Sequence, residues 1–137
     1  MKNQFTFNEV GKIFKVVYEI EERGNAYKAA REEYETIGAK FDARFAELNY
    51  SFRNSTKEDR ALFEIKCDAM DNMDKKEKAF NRAVKKFSYM VGIGENYDDI
   101  VAEELKGYCR NVSYYKIERI IRDVKYMAKR AAERIEY

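Results

Sequence analysis

Two stretches of this sequence combine cations with aromatic rings in a pattern suited to holding an anion. In "SYYKIERIIRDVKYMAKRAAERIEY", residues 113 to 137, Tyr115, Arg119, Arg122, Tyr126, Lys129, Arg130 and Tyr137 recur at three- and four-residue spacing. Stepped at 100° per residue they form one helical arc, with Glu133 as the acid near its centre and Glu118 and Asp123 at its edges. Opposite them, Ile117, Ile120, Ile121, Val124, Met127, Ala128, Ala131 and Ile135 make an apolar stripe that must pack on the rest of the chain. In "KKEKAFNRAVKK", residues 75 to 86, six basic groups face one acid, and Lys75, Lys78, Arg82, Lys85 and Lys86 are the candidate cations there. Arg and Lys neutralise phosphates, and Tyr stacks on bases or hydrogen-bonds phosphate, so this chemistry suits nucleic acid. The same Arg and aromatic mixture also marks protein-binding hot spots. A salt-bridged solvent face, in which Arg stems cover neighbouring rings, is the third reading.

Other chemistries lack their residues. The chain has no His, which removes the usual acid/base at neutral pH, the triad base and the commonest zinc ligand. In "CDAMDNMD", residues 67 to 74, the spacing puts Met73 with the core while Cys67, Asp71 and Asp74 face solvent, so soft and hard ligands point apart. "GIGEN" at 92 to 96 has no strand before it and no third glycine, so it is no dinucleotide loop. Glu95, Asp98 and Asp99 are expected at a helix start for the dipole, and Cys109 beside Arg110 has no base to activate it. The expectation is a non-enzymatic protein without cofactor or metal.

The elements that position these residues are helical. Pro and Trp are absent and Gly numbers only six, a composition that favours long helices. With 137 residues, 38% of them charged and a net charge of +2, the chain reads as a single domain, 1 to 137, expected to be soluble and cytoplasmic, with no apolar run of membrane-spanning length. Cys67 and Cys109 are then expected as free thiols. Thr6 and Glu9 form a capping box, and Phe5 with Val10 a hydrophobic staple. Ile13, Ile20, Tyr27, Tyr34, Phe41 and Leu48 then recur every seven residues, joined by Val17, Ala30, Ile37, Phe45 and Phe52.

Unbroken from 7 to 52, that helix would be about 69 Å long against roughly 37 Å for a compact domain. The sequence therefore predicts either a break or bend at "RGN", 23 to 25, or an elongated molecule; Gly24 as an αL cap with Asn25 as a new N-cap is the cheapest break. Ser55 and Glu58 mark the next start, and Leu62, Ile65, Ala69, Met73, Phe80, Val84, Phe87 and Val91 line one face, interrupted by Lys76. The predicted fold is all-α: an elongated antiparallel hairpin or bundle of long helices at about 7–23, 25–52 and 56–91, spanning 1–91. A C-terminal pair at about 97–106 and 114–136 follows within 97–137.

The segment "DDIVAEELKGYCRNV" followed by "SYYKIERII", about residues 98 to 137 in all, resembles the C-terminal recognition segment of ArpU-type phage transcriptional regulators and, more distantly, sigma-factor region 4. That resemblance implies a helix-turn-helix in which Tyr114, Tyr115 and Lys116 open the DNA-reading helix. This chain departs from those families in its longer connection from Leu105 to Ser113. Three functions follow as expectations: a phage or mobile-element regulator that binds DNA or RNA; a protein-binding inhibitor of a host nucleoprotein, of the anti-CRISPR type, or coiled-coil adaptor; and a homodimer formed through the heptad seam.

Overall fold

The structure, a computed structural model, describes residues 4–91 and 113–135, the side chains of 113–115 excepted. Three α-helices make up the described residues: α1 (Phe7–Glu47), α2 (Lys57–Met90) and α3 (Ser113–Ala132). The helix expected at 97–106 lies outside them.

α1 starts where the capping box places it. Glu9 N–H donates to Thr6 Oγ1 at 3.1 Å and Thr6 N–H donates to Glu9 Oε1 at 3.2 Å, while Phe5 and Val10 are both buried. The helix then runs 41 residues without interruption, about 62 Å. The expected break at 23–25 is therefore corrected. Gly24 is inside the helix and buried, and a methyl group on its Cα would stand 2.9 Å from Ile117 Cγ2 and 3.1 Å from both Ile121 Cδ1 and Phe80 Cε2. Gly24 is a point of close approach between three helices, and its missing side chain serves packing.

α1 ends at Glu47, earlier than the expected 52, in a Schellman motif. Tyr50 N–H donates to Phe45 O at 2.9 Å and Asn49 N–H to Ala46 O at 3.0 Å, with Asn49 (φ 55°) and Tyr50 (φ 56°) both left-handed. The Tyr50 ring packs edge-on against Phe45, the hydrophobic contact that accompanies such a cap. α2 opens on Thr56 and Asp59, one residue beyond the expected Ser55 and Glu58. The reason is Arg44: its Nε and Nη2 donate to Asp59 Oδ1 and Oδ2 at 2.7 and 3.2 Å, so the capping carboxylate also ties α1 to α2. Arg44's hydrogen bonds, then those from Thr56, hold the Asp59 carboxyl down at about 2.

Ion pairs fix the register of the bundle. Lys66 with Asp42 at 3.5 Å and Arg44 with Asp59 run α2 antiparallel to α1. Lys28 with Glu118, Lys125 with Glu21 at 2.9 Å, and the Phe5 N–H donating to Arg134 O at 3.1 Å run α3 antiparallel to α1 as well. One core holds Ile13, Ile20 and Tyr27 from α1, Phe80, Val84 and Phe87 from α2, and Ile117, Val124 and Ala128 from α3. From Ile13 to Ala30 the heptad seam is thus buried within the chain, against α2 and α3, while Ile37, Phe45 and Leu48 are half-buried and Phe52 is exposed. Tyr27 is 1% exposed, and its hydroxyl donates to Glu77 Oε2 at 3.1 Å, which satisfies the one polar atom the ring carries inward.

Among the described residues α3 accompanies the chain from residue 5 to residue 28, and the described residues beyond that form a two-helix hairpin. There Ile65, expected in the core, is 50% exposed, and Lys76 is exposed rather than an intrusion. Conversely Ala83 and Ser88, beside the expected stripe, are buried, because two neighbours cover a wider arc than one. Phe41, Phe45, Phe52, Phe63 and Tyr50 close the hairpin tip, with ring centroids 4.9 to 6.3 Å apart.

Candidate nucleic-acid interface

α3 divides as its periodicity requires. Ile117, Ile120, Val124, Met127, Ala128 and Ala131 are buried, Ile121 and Ile135 half-buried. On the opposite arc Arg119, Arg122, Tyr126, Lys129 and Arg130 are exposed, and Lys116 is half-buried. The side chain of Tyr115, and Tyr137, lie outside the described residues. Of the nearby acids, Glu118 at the edge of the arc pairs with Lys28 of α1, which lowers the Glu118 carboxyl below its ordinary value, and Glu133, just past α3 and near the centre of the arc, pairs with Arg130 at 3.9 Å.

Charge is sorted more sharply on α2. Lys75, Lys78, Arg82, Lys85 and Lys86 are all exposed, and none is ion-paired with a described residue. Glu77, the acid of this run, turns instead toward α1, where it accepts from Tyr27. Tyr89, 58% exposed, continues the same outward arc. From 75 to 89 this arc extends about 21 Å with cations at nearly every turn.

The two basic runs occupy outward arcs of different helices around one core. Cys67 is a half-buried free thiol and Asp71 and Asp74 are exposed, while Met73 is 9% exposed and in the core. Among the described residues no three metal-ligating side chains converge, and none of the helices is long and apolar enough to cross a membrane.

A further exposed surface lies outside the heptad seam. Phe7, Phe14 and Tyr18 are 73%, 45% and 67% exposed on α1, and Tyr126 is 62% exposed on α3. Between the two helices Phe14, Val17, Tyr18, Glu21, Lys125 and Lys129 line an open groove of about 490 Å³. The signal was present in the sequence: Phe7, Phe14 and Tyr18 stand at i, i+7 and i+11, one stripe displaced from the Ile13 and Ile20 seam. No family model matches this sequence, and no curated protein or solved structure matches it either.

Proposed function

We propose that this protein is a non-enzymatic helical binding protein that engages nucleic acid through basic and aromatic surfaces, in the manner of a small phage or mobile-element regulator. The observation that carries this reading is the charge sorting on α2. Five exposed cations and Tyr89 share an outward arc from which Glu77 is withdrawn. A salt-bridged solvent face would interleave acids with these cations. A polyanion with regularly spaced phosphates is the ligand such an arc fits. The exposed Arg119, Arg122, Lys129 and Arg130 on α3 supply a second arc of the same sign.

Anisotropy titration against duplex and single-stranded oligonucleotides over a salt series tests the reading. Contacts from five cations correspond to a slope of log K against log salt near about −4.5 on duplex. Lys78→Glu with Arg82→Glu should weaken binding and reduce that slope by about 2, uniformly across sequences. Absence of binding to either form at about 50 mM salt would refute it.

A second reading, a protein-binding inhibitor of a host nucleoprotein or an adaptor, is favoured by the hairpin tip. Tyr50, Phe52 and Phe63 are 73%, 47% and 41% exposed there, and clustered aromatics are the usual anchors of protein interfaces. A pull-down in which Phe52→Ala abolishes capture of one defined protein, with no nucleic acid bound, would favour it over the first.

A further inference from the structure

We propose that the groove between α1 and α3 is a stacking channel for single-stranded nucleic acid, so that the protein prefers unpaired strands to duplex. The inference rests on the nucleic-acid reading above and adds to it a site and a ligand form.

The groove floor is Val17, 5% exposed, and its α1 wall consists of the Phe14 and Tyr18 rings. Four residues apart on one helix face, these rings are separated by about 6 Å along the axis, so consecutive bases can lie against separate rings. Phe7, 73% exposed, stands on the same face of α1 beyond the residues that line the groove. Gly11 lies between, and a Cβ built there would meet nothing within 4 Å. From Phe7 to Tyr18 the stripe is about 16 Å long.

The α3 wall supplies charge. Lys125 is paired at 2.9 Å with Glu21, a carboxylate of the same lining, so the charge on this wall that no described residue pairs is that of Lys129 beside it. Arg122, exposed, and Tyr126, 62% exposed, flank the same edge on the outward arc. Flat apolar faces inside and cations along one edge complement a ligand with π faces on one side and a continuous anion on the other. Unpaired nucleotides have that arrangement, and duplex bases do not, because their faces are already stacked. An acidic amphipathic helix would share the charge, but its branched apolar side chains call for holes between aliphatic residues, whereas Val17 is the sole aliphatic lining residue among those described.

The test uses the full chain and three fluorescent probes of about 20 nucleotides: oligothymidylate, oligouridylate and a mixed-sequence duplex. At about 50 mM salt the single strands should bind at least about tenfold more tightly than duplex. Phe14→Ala and Tyr18→Ala should each lower single-strand affinity about tenfold and leave duplex binding unchanged, and Tyr18→Phe should retain it. Both side chains are exposed, so thermal unfolding curves should be unaltered and confirm that the variants fold. The two single strands separate a DNA ligand from an RNA ligand. Equal affinity for single strands and duplex, or single-strand binding indifferent to Phe14→Ala and Tyr18→Ala, overturns the channel and leaves the basic surfaces standing. Failure of all three probes overturns both. Displacement of oligothymidylate by an acidic amphipathic peptide that binds more tightly, and is lost in the same variants, overturns the channel in favour of a protein ligand.

Discussion

Replacing Gly24 by Ala sets two effects of similar size against each other. In a helix interior Ala is favoured over Gly by about 1 kcal/mol, because it restricts the unfolded backbone. At Gly24 the new methyl would sit 2.9 Å from Ile117 Cγ2 and 3.1 Å from Phe80 Cε2 and Ile121 Cδ1. Ile117 and Phe80 are 0% exposed, and the branched Cβ of Ile117 has little rotamer freedom, so relief requires the helices to separate by several tenths of an ångström. Such overpacking costs about 1 to 3 kcal/mol. The net expectation is destabilisation by about 1 kcal/mol, or a few degrees in Tm. Gly11 supplies the internal control: with nothing within 4 Å of its would-be Cβ, Gly11→Ala should stabilise by about 0.5 to 1 kcal/mol. Urea unfolding followed by far-UV circular dichroism measures both. An αL cap at Gly24 would also resist Ala, so the decisive measurement is a double-mutant cycle with Ile117→Ala. Close approach requires that removing the Ile117 side chain beyond Cβ relieves the 2.9 Å contact and shrinks the Gly24→Ala penalty, a coupling of at least about 1 kcal/mol. Additivity of the two substitutions would refute the continuous α1 and its contact with α3.

Phe80→Ala, at a fully buried ring against Tyr27, should cost about 3 to 5 kcal/mol in the same urea assay, more than Phe63→Ala at the half-open tip. Asp59 links stability to pH: its folded value of about 2 lies below the ordinary 3.8, so its contribution is complete above that ordinary value and is lost as pH falls through about 2. Urea midpoints for Asp59→Asn should accordingly fall less steeply than the parent's between pH about 5 and about 2; parallel curves would contradict the Arg44 pairing. Asn49→Val should destabilise by about 1 to 2 kcal/mol and Asn49→Gly should not, because the left-handed C′ position excludes a branched Cβ; a thermal melt checks both.

Periodicity made the α3 stripe legible in full, since a helix packed on one side must sort its residues by the 100° step. The first capping box was legible because its bonds are local. What the sequence could not show is what lies opposite a residue. Gly24 has the composition of a stop, and only the arrival of Ile117 and Phe80 turns it into a contact. Thr56 and Asp59 outcompete Ser55 and Glu58 because Arg44, distant in sequence, is already oriented toward Asp59. Ile65 keeps the period of the core yet meets only one helix there. The cations of both runs, Lys116 excepted, were legible as exposed, whereas the groove was not, because it belongs to no single helix.

Because α3 ends its contact with α1 near Lys28 among the described residues, resistance to opening is expected to be graded along them. Amides of the buried positions from Ile13 to Tyr27 are enclosed by three helices, so their hydrogen exchange is expected to follow unfolding of the whole bundle. Those of the hairpin beyond residue 31 need only the local separation of two helices, against the Arg44 clamp and the aromatic tip. The hairpin arm can therefore fray and re-form, and admit a protease, while the three-helix end and its groove remain intact.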